Sequence, residues 1–155
     1  MATDQRMHDM PAKVSTLNIS SRYWSRSGRG VGPMSGTSLA LLMIEAVEWS
    51  TYDVMDGAAT ALGSQLHEFL TVDDIERRSD LWRTMENNLF CQDDIFSAAE
   101  PAIPVLLASL TEPATAAVRI AVLDLLFHLV QGARFRGDQL GDDCLKQACM
   151  GSWEL

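Results

Sequence analysis

Between Val118 and Val130 the chain is apolar on almost every side of a helix: Ile120, Ala121, Val122, Leu123, Leu125, Leu126, Phe127 and Leu129 are interrupted only by Arg119, Asp124 and His128, and Gln131 follows. A helix with apolar residues round nearly its whole circumference is stable only when neighbours enclose it on most sides. Several other helices must therefore pack round the segment from about Ala114 to Gln131. Gly132 is expected to stop it.

The neighbours follow the same period. Leu39, Leu42, Met43, Ala46 and Val47 recur at i, i+3, i+4, i+7 and i+8 behind Thr37 or Ser38 as amino-terminal cap, with Glu45 and Glu48 opposite. Ala58, Ala61, Leu62, Gln65, Leu66 and Phe69 repeat the spacing after the Asp56-Gly57 turn and predict a helix near 57–70. Asp73 with Glu76 has capping-box spacing and introduces Ile75, Trp82, Met85 and Leu89 on one helical side. Ser97 with Glu100 is a second box, opening a stripe of Ile103, Leu106, Leu107 and Leu110. Pro101 suits a first turn, whereas Pro104 removes a further amide and predicts a kink or a later start. Thr111-Glu112-Pro113 breaks the chain. After Gly132 a polar Gly/Asp loop is expected as far as Asp143, then a last helix on Leu145, Ala148 and Cys149. Lys13 to Ile19 alternates only weakly, and no strand-like block interrupts residues 37–155. The expected fold class is all-α, with five to six helices joined mostly by short turns.

Charge divides the chain unevenly. Its 155 residues hold 12 Lys+Arg against 21 Asp+Glu, a formal net charge of −9. Residues 1–33 carry Arg6, Lys13, Arg22, Arg26 and Arg29 against Asp4 and Asp9, a net of +3, which leaves −12 for residues 34–155. Ser20 to Pro33 is dense in Ser, Gly and Arg and sustains no period. Residues 1–33 are thus expected to be a disordered or non-native segment before a domain spanning 34–155, with Met34 as the alternative start. The same composition fits an organelle transit peptide but lacks an apolar secretory core. An acidic domain is a poor partner for phosphate backbones, so neither nucleic acid nor an anionic membrane is expected. The longest uninterrupted apolar run, Leu39 to Ile44, is six residues, well short of the roughly 18 a membrane span needs. Cys91, Cys144 and Cys149 are odd in number and form no C-x-x-C pair, which points away from a disulfide framework or zinc site and toward a reducing, cytoplasmic location.

The string EPAIPVLLASLTEPATAAVRIAVLDLL, Glu100 to Leu126, resembles one HEAT-type helical repeat: a Pro-led first helix, a short turn, and a second helix containing V-R. Val122 departs from the small residue usual three positions after the Arg. AVEWSTYDVMDGAA (Ala46 to Ala59) and LWRTMENNLFCQDDIFSAAEPAIPVLL (Leu81 to Leu107) are similar to uncharacterised bacterial HEAT-like proteins. The resemblance covers 34–155. It implies a right-handed α-solenoid with a concave binding surface and further repeats beyond Leu155, and it implies no established activity.

Few residues suggest chemistry. Asp124 and His128 stand four apart and share a helical face, where a carboxylate can orient an imidazole. His67-Glu68 are adjacent and point apart. Cys91-Gln92-Asp93-Asp94 fills an expected inter-helix turn with no nearby base to activate the thiol, and two Asp fall short of a calcium loop. Asp73-Asp74, Asp93-Asp94 and Asp142-Asp143 all fall at expected turns, where they serve as caps or line up as an acidic rim able to steer a basic partner. Phosphate-loop, nucleophile-elbow and zincin motifs do not occur, and Gly28 to Gly32 follows no strand. Trp49, Trp82 and Trp153 read as packing anchors, and burial is expected for at least one of Cys144 and Cys149. No catalytic, cofactor or metal residue is expected. Asp93, Asp94, Asp124 and His128 are the candidate partner-binding residues of a non-catalytic protein-interaction module, of which a toxin-neutralising immunity-type inhibitor is one form. The alternative is an enzyme with an acid/base centre at Asp124 and His128. A DNA-repair activity would require Arg77, Arg78, Arg83 and Arg119 to cluster on a basic face.

Overall fold

A computed structural model describes residues 38–92 and 94–152, with side chains as far as residue 150. Residues 1–33, Met34, the Gly28 to Gly32 run, Asp93 and Trp153, each given a role above, lie outside the described residues. The described elements are α1 (Leu39–Ala46), a 3-10 turn (Trp49–Thr51), β1 (Asp53–Val54), β2 (Gly57–Ala58), α2 (Leu62–Thr71), α3 (Ile75–Leu89), β3 (Phe90–Cys91), β4 (Asp94–Ile95), α4 (Ala99–Thr111), α5 (Ala116–Arg136) and α6 (Gln139–Ser152). The protein is predominantly α-helical, as the periodicity requires.

Two small antiparallel hairpins, β1–β2 and β3–β4, correct the expectation of uninterrupted helix. Asp53 pairs with Ala58 and Val54 with Gly57, so 57 and 58 are extended and α2 starts only at Leu62. Ser97 does not cap α4 as its box spacing predicts. Its hydroxyl accepts the Asp53 amide at 2.7 Å, and the Ala98 amide donates to the Asp53 carbonyl at 3.1 Å, so the first hairpin is fastened to the start of α4. Asp74, rather than Asp73, caps α3 by accepting the Arg77 amide at 2.6 Å. Ser38 caps α1, and Pro104 lies within a continuous α4. Glu112, read from sequence only as part of a break, reaches back to α1: its carboxylate accepts the Ser38 hydroxyl at 2.5 Å and the Ala40 amide at 3.1 Å. An acid at a helix amino terminus satisfies orphan amides and favours the dipole.

The largest correction concerns Gly132. α5 runs through it to Arg136, and Gly137, at φ 65°, is the left-handed residue that ends the helix. Gly132 is instead a contact point. A Cβ there would stand 2.6 Å from Cδ2 of Phe90 and 2.7 Å from Cγ2 of Ile95, so only a bare backbone lets the β3–β4 hairpin pack on α5. α6 accordingly begins at Gln139, and Asp142 and Asp143 lie in its first turns rather than in a loop.

The core sits where α3, α4, α6 and the second hairpin meet α5, with α1 beside α4 and α2 beside α3. Phe69, Met85, Ile103, Leu106, Leu125 and Leu129 are wholly buried. Trp49 and Trp82 are buried, as anchors should be. The Trp49 indole N–H donates to the Ile44 carbonyl at 2.9 Å, and its ring lies where Gly63 carries no side chain. Arg78 is buried too: it donates to the Val72 carbonyl across the α2–α3 turn, its Nε has no acceptor, and burial lowers its pKa against the pull of Asp73 and Asp74. It therefore cannot join a basic surface. Run length underrated α5, which is long and apolar enough by average composition to cross a membrane, at a mean hydropathy of 1.5 over 18 residues. Its inner face is core in this fold.

Gly132→Ala tests the hairpin contact. Ala favours a helix by about 1 kcal/mol over Gly, whereas overpacking costs about 1–3 kcal/mol. With two contacts below 3 Å the second term wins. Net destabilisation of about 1 kcal/mol is expected in denaturant unfolding, with stabilisation as the contrary result.

Candidate functional site

The enclosure that α5 demands is complete on one side only. Ile120, Leu123 and Phe127, at i, i+3 and i+7, are 48%, 54% and 60% exposed and form an outward stripe on the helix. Asp124 and His128 border that stripe. His128 Nε2 lies 4.0 Å from Asp124 Oδ1, an ion-pair distance when the imidazole is protonated and too long for a hydrogen bond.

Three rings surround the His128 imidazole. Trp82 of α3 meets it edge-on at 5.7 Å between centroids, Phe90 of β3 is tilted at 5.8 Å, and Phe127 meets it edge-on at 6.0 Å. The Trp82 indole N–H is buried without an oxygen or nitrogen acceptor, so its contact with the imidazole is one of ring edges and faces. Glu86 of α3 completes the group. Burial raises its carboxyl pKa, the charge on Asp124 adds to this, and His128 and Arg83 oppose it. Glu86 was missed in the sequence because its partners are on another helix. The legible signal was its place four residues after Trp82, on the same side of α3.

The other candidates lie elsewhere. Asp94 pairs with Arg136, which also donates to the Ile95 carbonyl and, at 2.7 Å, to Asp138. Asp138 in turn accepts the Gly141 amide at 3.0 Å, so Asp94 belongs to the knot joining the second hairpin to the α5–α6 turn. Arg136 is eight residues beyond His128 on α5, about 12 Å along the axis. The structure thus brings Asp124 and His128 together and leaves Asp94 with a structural duty. The acidic pairs do not form one rim of turns: Asp143 lies within α6, bonded to Gln139 and Lys146 at 2.8 Å each.

Cys144 is buried, and burial pushes its thiol up to about 12, far from thiolate. Among the described residues no cluster of three or more His, Cys, Asp or Glu is placed to hold a metal ion. A groove of about 380 Å³ lies at α1, the end of α2 and the α4–α5 turn, and Asp124, His128 and Glu86 are not among its lining residues.

Glu86 makes a pH prediction. Its folded pKa lies above the ordinary 4.5, so the folded state binds more protons and stability falls as pH rises from about 4.5 through the raised value. Glu86→Gln removes that loss. The variant is expected to be more stable than the parent near neutral pH, by less than about 1 kcal/mol for a half-buried group, with the gap closing toward pH 4. A gap that widens on acidification would contradict this.

Comparison of the chain with protein-family models, with curated proteins and with solved structures finds no match in any of the three.

Proposed function

We propose that the chain is a non-catalytic protein-interaction module whose acidic helical surface receives a basic protein partner on the outer face of α5. The observation that carries this reading is the Ile120, Leu123 and Phe127 stripe, exposed on the helix with the strongest need for burial and bordered along α5 by Asp124 and His128. An apolar centre with a charged border is the anatomy of a protein interface.

Charge supports a basic partner. Residues 34–155 carry −12, and their cations are largely engaged: Arg77 with Glu68, Arg83 with Asp80, Arg136 with Asp94 and Asp138, and Lys146 with Asp143, while Arg78 is buried. The surplus is carboxylate. A basic partner gains from this field in association rate, and nucleic acid is repelled by it.

The HEAT-type solenoid is part of the same reading. Its support is part of the pattern of neighbours: α2 pairs with α3 and α4 with α5, and α3 lies on α5 and α4 on α6, while α1 against α4 falls outside a repeat stack. A toxin-neutralising inhibitor is one concrete form of such a module, resting on small size and acidity. The rival reading, an acid/base centre at Asp124 and His128, draws on their 4.0 Å approach and on Glu86. Against it, aromatic rings occupy much of the space round the imidazole, and the groove lies elsewhere.

The test uses the full chain and a Leu123→Ala/Phe127→Ala variant as parallel baits, followed by titration of the protein recovered. Both side chains are exposed, so the variant is expected to fold. A basic protein held at low salt and released at high salt is expected, with affinity reduced about 30-fold in the variant, roughly 2 kcal/mol. Equal binding to both baits, or no protein held at low salt, would sink the proposal.

A further inference from the structure

The groove at α1 is independent of the α5 face. Its apolar walls are Leu41 and Leu42 of α1, Leu70 of α2 and Val118 of α5, and Glu45 and Ser38 stand among the lining. Leu42 is 47% exposed and Leu39, one turn before it, 54%, so the apolar surface continues along α1. A volume of about 380 Å³ falls at the lower end of the range, about 300–1,000 Å³, of pockets that bury a ligand. It suits a large side chain and a neighbour rather than a whole helix.

Three facts identify the occupant. First, Ser38 is both a wall of the groove and the first described residue, so the 37 residues before it enter the fold at this spot. Second, residues 1–33 carry +3 against −12 for residues 34–155. The carboxylate of Glu112 is already engaged by Ser38 and Ala40, whereas Glu45 makes no hydrogen bond or ion pair among the described residues. Third, that part of the sequence contains the only adjacent pair of aromatic residues in the chain, Tyr23-Trp24, set between Arg22 and Arg26.

We propose that the groove is the docking site of the protein's own amino-terminal segment, with Trp24 between α1 and α2 and Arg22 or Arg26 against Glu45. Reach is sufficient. Thirteen residues lie between Trp24 and Ser38, the fourteen steps extend to roughly 50 Å at most, and a Gly- and Ser-rich tether of this length holds an effective concentration in the millimolar range. A contact of only about 100 μM intrinsic affinity would then be about tenfold more often closed than open. Docking covers Leu42 and places an indole, with its large apolar area, out of water.

The experiment is NMR and amide hydrogen exchange on the full chain. Contacts between the Trp24 indole and the methyls of Leu42 and Leu70 are expected, unchanged on tenfold dilution. Trp24→Ala, outside the described fold, is expected to raise exchange about fivefold or more in residues 39–46, and Arg22→Glu/Arg26→Glu to do the same in part. Leu42→Glu should abolish the Trp24 contacts; if it loosens α1 instead, Trp24→Ala still decides the matter. The proposal is overturned by absence of those contacts, by equal exchange in parent and Trp24→Ala, or by contacts that vanish on dilution, which would assign the groove to a second copy.

Discussion

Enclosure of α5 is the constraint on which the rest of the structure depends. Val122, Leu125 and Leu129 are wholly buried, each contributing about 1.5–3 kcal/mol of hydrophobic stabilisation. No single neighbour can supply that burial. α3, α4 and α6 each take a side, and the β3–β4 hairpin closes the gap at Gly132, where the absence of a Cβ admits Phe90 and Ile95. Arg136 then locks the same hairpin to the α5–α6 turn through Asp94 and Asp138. Packing and electrostatics converge on one short ribbon.

The enclosure leaves a remainder. With α3, α4, α6 and the hairpin on its inner sides, α5 presents Ile120, Leu123 and Phe127 to solvent, and the pair Asp124–His128 sits at the border between core and surface. Trp82 and Phe90, themselves parts of the packing against α5, shape the ring cluster round His128. Glu86 is drawn into the same boundary, which is why its proton is held more tightly than an exposed carboxyl holds one. The proposed interface is thus a by-product of how the core closes.

Local signals were legible where they act locally. The i, i+3, i+4 spacing pointed to each of the six helices among the described residues, though not to the start of α2, the end of α5 or the start of α6; Ser38 was one of two cap candidates beside Thr37, and Asp124 and His128 were seen to share a face. Signals with two meanings misled. Gly132 has the chemistry of a helix stop, yet it is followed by Gly137, which takes the left-handed conformation, and Gly132 serves a packing contact with residues some forty positions earlier. Ser97 has the spacing of a capping box, yet its hydroxyl accepts from Asp53, 44 residues away. Glu112 looked like part of a break and is a cap for α1 from 72 residues beyond Ala40.

The amino-acid sequence by itself determined the helical class, the identity of the helix that must be enclosed, and the excess of acid over base, because periodicity and formal charge are properties of neighbours along the chain. Which face of α5 stays uncovered, which carboxylates are engaged by arginines, and that Glu86 comes within electrostatic range of His128 were decided only by the tertiary structure. Those outcomes depend on contacts between residues distant in sequence, and a helical period names an apolar circumference without saying which neighbour, if any, will cover each part of it.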